Sequence, residues 1–146
     1  MSEATERRRA RAGARRGGYA LAILINGAVL YAVNVWPGWQ ALPFLTDDTG
    51  QILGLVNLSL VVGMFTNAVY LIVDYPRVKA LGDLLTLCIG LAILVSVWQV
   101  FPFAFPIGFD WNLIARILIV LSMIGSIIGI IVQLVILVTG RSSWRR

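Results

Sequence analysis

Four long apolar stretches set the pattern of this chain, at residues 19–36, 50–73, 80–101 and 113–138, and each carries at most one charged residue. Each reaches the roughly 17 to 25 residues that a helix needs to cross a bilayer. The apolar residues are gathered into runs, where a globular core would scatter them. The connections between runs are short, at 37–49, 74–79 and 102–112, so successive helices form antiparallel hairpins. Pro76 ends the second run and suits the first turn of the third helix. The pattern predicts an all-α integral membrane protein, a four-helix bundle occupying 19–139.

Residues 1–18 are polar and arginine-rich, with no apolar periodicity, and are expected to be a disordered basic tail. Residues 140–146 form a second basic tail. No small-x-small cleavage site follows the first run, which ends Asn34-Val35-Trp36-Pro37, so the first span is expected to remain uncleaved.

Composition agrees with the pattern. Of 146 residues, 59% are hydrophobic and 13% charged, about half the charge a soluble domain carries. A net charge of +5 with twelve basic residues would suggest nucleic acid in a soluble chain. Here eleven of the twelve lie in the N-terminal tail, beside Arg77 and Lys79, or in the C-terminal tail, all on one side of the membrane. The other two connections carry Asp47, Asp48 and Asp110. By the positive-inside rule both termini are expected in the cytoplasm. Trp36, Trp39, Trp98 and Trp111 then mark the outer boundary, and Tyr19, Tyr70, Tyr75 and Trp144 the inner one. The arginines Arg7, Arg8, Arg9, Arg11, Arg15 and Arg16 are expected to contact anionic lipid headgroups, and no nucleic-acid partner is expected.

The chain has no histidine, which excludes His-ligated haem or zinc, a Ser-His-Asp triad and a histidine pH switch. Its one cysteine, Cys88, lies in an apolar run and reads as a small packing residue. No catalytic constellation, cofactor or metal site is expected.

Ionisable groups in hydrocarbon usually mark a transport path. Asp83 follows Lys79 by four residues, so the two can pair on one helix face. Arg116 can snorkel outward or pair with Asp110. Asp74 is placed to cap the third helix. Asp47 and Asp48, after Thr46, suit the first turn of a helix better than a catalytic carboxylate pair, because adjacent helical residues point about 100° apart. The amides are more suggestive. Asn26 and Asn34 lie in the first span, Asn57 and Asn67 in the second with Thr66, Gln99 in the third and Gln133 in the fourth. They need partners in lipid. Either they fasten helices together, or Asn34, Asn57 and Gln99, with Asn67, line a polar track opening outward. On the fourth helix, Ser122/Ser126 and Gly125/Gly129 form two small-x-x-x-small tracks, suited to helix packing within or between chains. The connections 36–44 and 101–109 are too aromatic for solvated loops and are expected to cover the outer end.

Val33-Asn34-Val35-Trp36 matches Val95-Ser96-Val97-Trp98 at a spacing of 62, which also relates Asp48 to Asp110 and Gly63 to Gly125. This suggests a parallel repeat of two hairpins.

The run Asn-Val-Trp-Pro-Gly-Trp-Gln at 34–40, Leu-Gly-Leu-Val-Asn-Leu-Ser-Leu at 53–60 and Val-Trp-Gln-Val-Phe-Pro-Phe at 97–103 resembles small four-span membrane proteins of high-GC Gram-positive bacteria. That group has no assigned activity, so the resemblance implies a bacterial plasma-membrane location and no mechanism. Small multidrug-resistance exporters are similar in size, but rely on a glutamate in the first helix. Residues 19–36 contain no acid, so the chain departs from that mechanism. The expected function is therefore non-enzymatic, acting through helix packing as an accessory or structural partner or as a homo-oligomer. The alternative is a small transporter or lipid-handling protein that uses the polar track.

Overall fold

The computed structural model describes residues 2–140. The chain forms four long helices, α1 (Glu3–Asn34), α2 (Thr49–Ile72), α3 (Pro76–Val100) and α4 (Trp111–Thr139), with a short 3-10 turn at Trp39–Ala41 between the first two. All four are long and apolar enough to cross a membrane. Their ends follow local chemistry. Pro76 opens α3 at a position that has no helical hydrogen bond to lose. The Asp110 carboxylate accepts from the Leu113 N–H at 3.1 Å and caps α4. Gly140 closes α4 with φ +66°, a left-handed backbone that favours glycine.

The hairpins are antiparallel, as cross-helix neighbours show. Asn34 meets Asn57, Gly27 lies under Met64 and Tyr19 meets Tyr70, so numbers rise along α1 as they fall along α2. Likewise Asp83 meets Gln133, Leu87 covers Gly129 and Trp98 lies beneath Arg116 across α3 and α4. Each helix packs on its neighbours in the chain, and among the described residues α1 packs on neither α3 nor α4. The bundle is thus an open row. Its core is correspondingly shallow: among the described residues Ile52, Tyr70, Ala80, Pro102 and Ile119 are buried, whereas Leu24 and Phe65 are each 69% exposed. Such a surface suits lipid, where apolar exposure costs nothing and backbone polar groups are satisfied within each helix.

Two expectations need correction. The basic segment is helical: α1 starts at Glu3, long before the first apolar run. Lack of apolar periodicity says that a segment will not pack; it does not say that it will not coil. Ala, Arg and Glu, which fill most of residues 3–16, are all strong helix formers. Asp47 and Asp48 precede α2, which begins at Thr49. Asp48 is its N-cap without a side-chain cap bond, accepting instead from Gln51 Nε2 at 2.9 Å. Residues 141–146, with the expected C-terminal basic tail and Trp144, lie outside the described residues, as does Met1.

The proposed repeat pairs share some features. Asp48 and Asp110 are both N-caps. Gly63, however, is buried beneath Asn26, while Gly125 borders open space.

Candidate functional site

Polar side chains collect in two places, the seam between α1 and α2 and a cluster at the arginine-bearing end. Along the seam, Asn34 and Asn57 exchange reciprocal amide hydrogen bonds, each 2.8 Å long. Two turns further, the Asn26 amide lies against Gly63, where an added Cβ would come within 3.0 Å of its nitrogen. The Gly63 carbonyl accepts from Thr66 Oγ1 at 3.1 Å and from Asn67 Nδ2 at 2.7 Å. Next comes an edge-on contact of the Tyr19 and Tyr70 rings, 5.4 Å between centroids. The seam ends in an ion pair of Arg15 and Asp74 at 3.0 Å. Asp74 therefore serves α1, and it is not the cap of α3, whose N-cap is Tyr75.

Of the expected track, Asn34, Asn57 and Asn67 belong to this seam. Gln99 stands apart: it is exposed on α3, a helix that α1 does not touch, and no hydrogen bond joins it to the others. Asn26 is the seam residue that the track omitted. Its spacing of eight from Asn34, two helical turns and a little more, is the signal that places both on one face.

The cluster centres on Asp83. Lys79 Nζ lies 2.6 Å from Asp83 Oδ2, which also accepts from Gln133 Nε2 at 3.2 Å. The Tyr70 hydroxyl shares its one hydrogen between Asp83 Oδ1 and the Lys79 carbonyl, both at 3.0 Å. The Lys79 ammonium also stands 5.3 Å from the Tyr70 ring centroid. One carboxylate thus ties α2, α3 and α4 together. Gly82 makes this approach possible, because a Cβ there would collide with the Tyr70 hydroxyl. The expected Lys79–Asp83 pair is present; Tyr70, Gly82 and Gln133 are the partners the sequence did not assign to it. Similar distance from the helix ends was the available signal, since Asp83 lies seven residues after the first residue of α3 and Gln133 six before the last residue of α4.

The opposite end is aromatic. The two connections join through main-chain hydrogen bonds, Thr46 N–H to the Pro102 carbonyl at 2.9 Å and Ala104 N–H to the Phe44 carbonyl at 2.8 Å. Phe44 and Phe103 each stack on Phe105, with centroids 6.0 and 5.6 Å away. Pro43, Phe44, Ala104, Phe105, Pro106 and Trp111 line a cleft of about 540 Å³ with no charged wall. Beneath the bridge, the hydroxyls of Thr46 and Thr49 are buried without a protein partner. The expected Asp110–Arg116 pair does not form. Six residues apart, the two point about 120° apart around the helix. Asp110 caps α4, and the Arg116 guanidinium lies over Phe101 and Trp98, 4.3 and 4.9 Å from their centroids.

The small-residue tracks on α4 divide between two faces. Ser126 and Gly129 are half-buried, Gly129 directly under Leu87, while Ser122 and Gly125 are exposed. Among the arginines, Arg7 faces Glu3 at 3.7 Å, and Arg8, Arg9, Arg11 and Arg16 are exposed. Comparison with protein families, with curated proteins and with solved structures gives no match. The chemistry of the site is therefore read from its geometry: the Asp83 carboxylate is engaged by Lys79, Tyr70 and Gln133, and the Asn34 and Asn57 amides by one another.

Proposed function

We propose that this chain is a non-enzymatic membrane protein acting through helix packing, as an accessory or structural partner of a larger membrane assembly or as a homo-oligomer. The observation that carries this reading is the open row of helices. With α1 and α4 each packed on one neighbour only, both present long apolar faces, and the exposed Ser122 and Gly125 let another helix approach α4 closely. The polar residues support the same reading, because Asn34, Asn57 and Asp83 each form a hydrogen bond to another helix of the chain. The basic residues favour a plasma-membrane topology with both termini in the cytoplasm.

The test is purification from native membranes in mild detergent, with native mass measurement. A stoichiometric second protein, or a defined homo-oligomer, is expected. A monomer without a partner would overturn the proposal.

A second reading, a small transporter, draws on the amides that recur along the α1–α2 seam. It predicts solute flux in liposomes holding the purified chain, lost when Asn34 and Asn57 are both replaced by Leu while the bundle stays intact.

A further inference from the structure

Helix α1 is longer than a bilayer requires. Its 32 residues span about 48 Å, against a hydrocarbon thickness of about 30 Å. The apolar part begins at Tyr19, so residues 3–18 extend beyond the membrane as an arm about 24 Å long. Six arginines and two glutamates charge this arm, and alanine is its largest apolar residue. Around the helix, Arg7, Arg8, Arg11 and Arg15 fall within an arc of about 100°.

Two features at the base of the arm call for an explanation. Gly17 and Gly18 sit side by side within the helix, where glycine is a poor helix former. A Cβ at either would meet nothing within 4 Å, so close packing does not demand them. What two glycines supply there is ease of bending, at the boundary between arm and span. The second feature is the Arg15–Asp74 ion pair, 3.0 Å long and with both side chains at least half exposed, which pins the base of the arm to the α2–α3 connection. Exposed pairs of this kind are weak and yield to competing charge.

We propose that the arm is a membrane-sensing lever, upright while Arg15 holds Asp74 and folded at Gly17–Gly18 onto anionic lipid headgroups when these are abundant. Upright, Arg7 stands about 18 Å along the axis from Tyr19, where salt screens most of the surface charge. Folded, the arginine arc lies among the headgroups. The arm carries no large apolar or aromatic side chain to anchor in a protein pocket. Its recognition chemistry is charge alone, and the bilayer beside Tyr19 is the polyanion within reach. This inference rests on the chain spanning a membrane and is independent of the accessory role proposed above.

The full chain, with Cys88→Ala and a fluorophore on Thr5→Cys, is placed in nanodiscs containing quencher-labelled headgroups. Quenching is expected to be low in neutral lipid, to rise about threefold in strongly anionic lipid, and to fall again in high salt. The variant with both Gly17→Ala and Gly18→Ala has a stiffer helix and should lose most of this rise. Asp74→Asn should shift the response to a lower anionic fraction. Equal quenching in neutral and anionic bilayers overturns the lever. A full response in the paired alanine variant overturns the hinge, and an unshifted response in Asp74→Asn overturns the latch.

Discussion

The two hairpins solve the same packing problem with different chemistry. Between α1 and α2 polar contacts recur along the seam, a reciprocal amide pair, an amide against a glycine, a tyrosine pair and an ion pair, beside the steric contact of Met64 with Gly27. Between α3 and α4 polar contacts are fewer, one hydrogen bond from Gln133 to Asp83 and the Arg116 guanidinium over Trp98, with Leu87 seated over Gly129 and Ile119 buried. In lipid neither hairpin gains from hiding apolar surface, so both need contacts that lipid tails cannot imitate. Directional bonds fix the register of α1 on α2, and close backbone approach fixes α4 on α3. The hairpins are bridged at one end by main-chain hydrogen bonds between their connections, and at the other Tyr70 of the first reaches Asp83 and the Lys79 carbonyl of the second. That junction is where the comparison can be broken most severely.

Replacing Asp83 by Ala removes the acceptor shared by Lys79, Tyr70 and Gln133. A fully buried pair would lose about 3 to 5 kcal/mol on such a cut. The side chains here are 26% and 45% exposed, and exposed pairs are worth under about 1 kcal/mol. A loss of about 2 kcal/mol is therefore expected, read as a lower midpoint in an SDS titration from mixed micelles. A midpoint within error of the parent would mean that the hairpins are held by apolar contact and by the main-chain bridge at the aromatic end.

Gly82→Ala attacks the same junction from the other side. The new Cβ displaces the Tyr70 ring from both its acceptors, with an expected cost of about 1 to 3 kcal/mol as in other overpacked sites. Combining it with Tyr70→Phe should recover part of the loss, since the atom most directly in the way is gone. If the double variant is no more stable than Gly82→Ala alone, the clash is not with the hydroxyl.

How much of this was legible beforehand depended on the range of the signal. The spans were plain, because a run of about twenty apolar residues has few alternative explanations. The Lys79–Asp83 pair was plain as well, being a matter of helical spacing within one element. The helix of the arm was hidden because residues 3–18 have no packing face, and the helix preference of Glu, Ala and Arg is a weaker signal than apolar periodicity. The pairing of Asp110 with Arg116 failed on the same local geometry that made Lys79–Asp83 succeed. Contacts between helices were the least visible. Tyr70 and Gln133 reach Asp83 only because of how α2 and α4 rotate about their axes, and apolar runs with little polar asymmetry carry scant information on rotation. The joining of the two aromatic connections, at Phe44–Thr46 and Pro102–Ala104, likewise depends on chain geometry that no local motif announces.

Within the seam, Asn34→Leu should cost about 1 kcal/mol, because it leaves the Asn57 amide without its partner in lipid. Replacing both asparagines by Leu should cost less than the single change, since no polar group is then stranded. The ordering of these two variants is more telling than either value. If the double variant is the worse one, each asparagine has a separate role, which would favour the transport reading over fastening.

Gln99→Leu supplies the smallest effect and the control on the whole comparison. Gln99 carries an amide like the seam asparagines but lies exposed on α3, joined to no partner among the described residues. An amide fastens helices only when it has something across the interface to bond. Substitution should therefore leave the unfolding midpoint within about 0.5 kcal/mol of the parent, as for other surface positions. Because Leu prefers hydrocarbon to an unbonded amide, the small change should be towards stability. Should Gln99→Leu instead weaken a complex recovered from native membranes while leaving the isolated chain unaffected, its amide faces a partner, and the exposed side of α3 becomes part of the assembling surface.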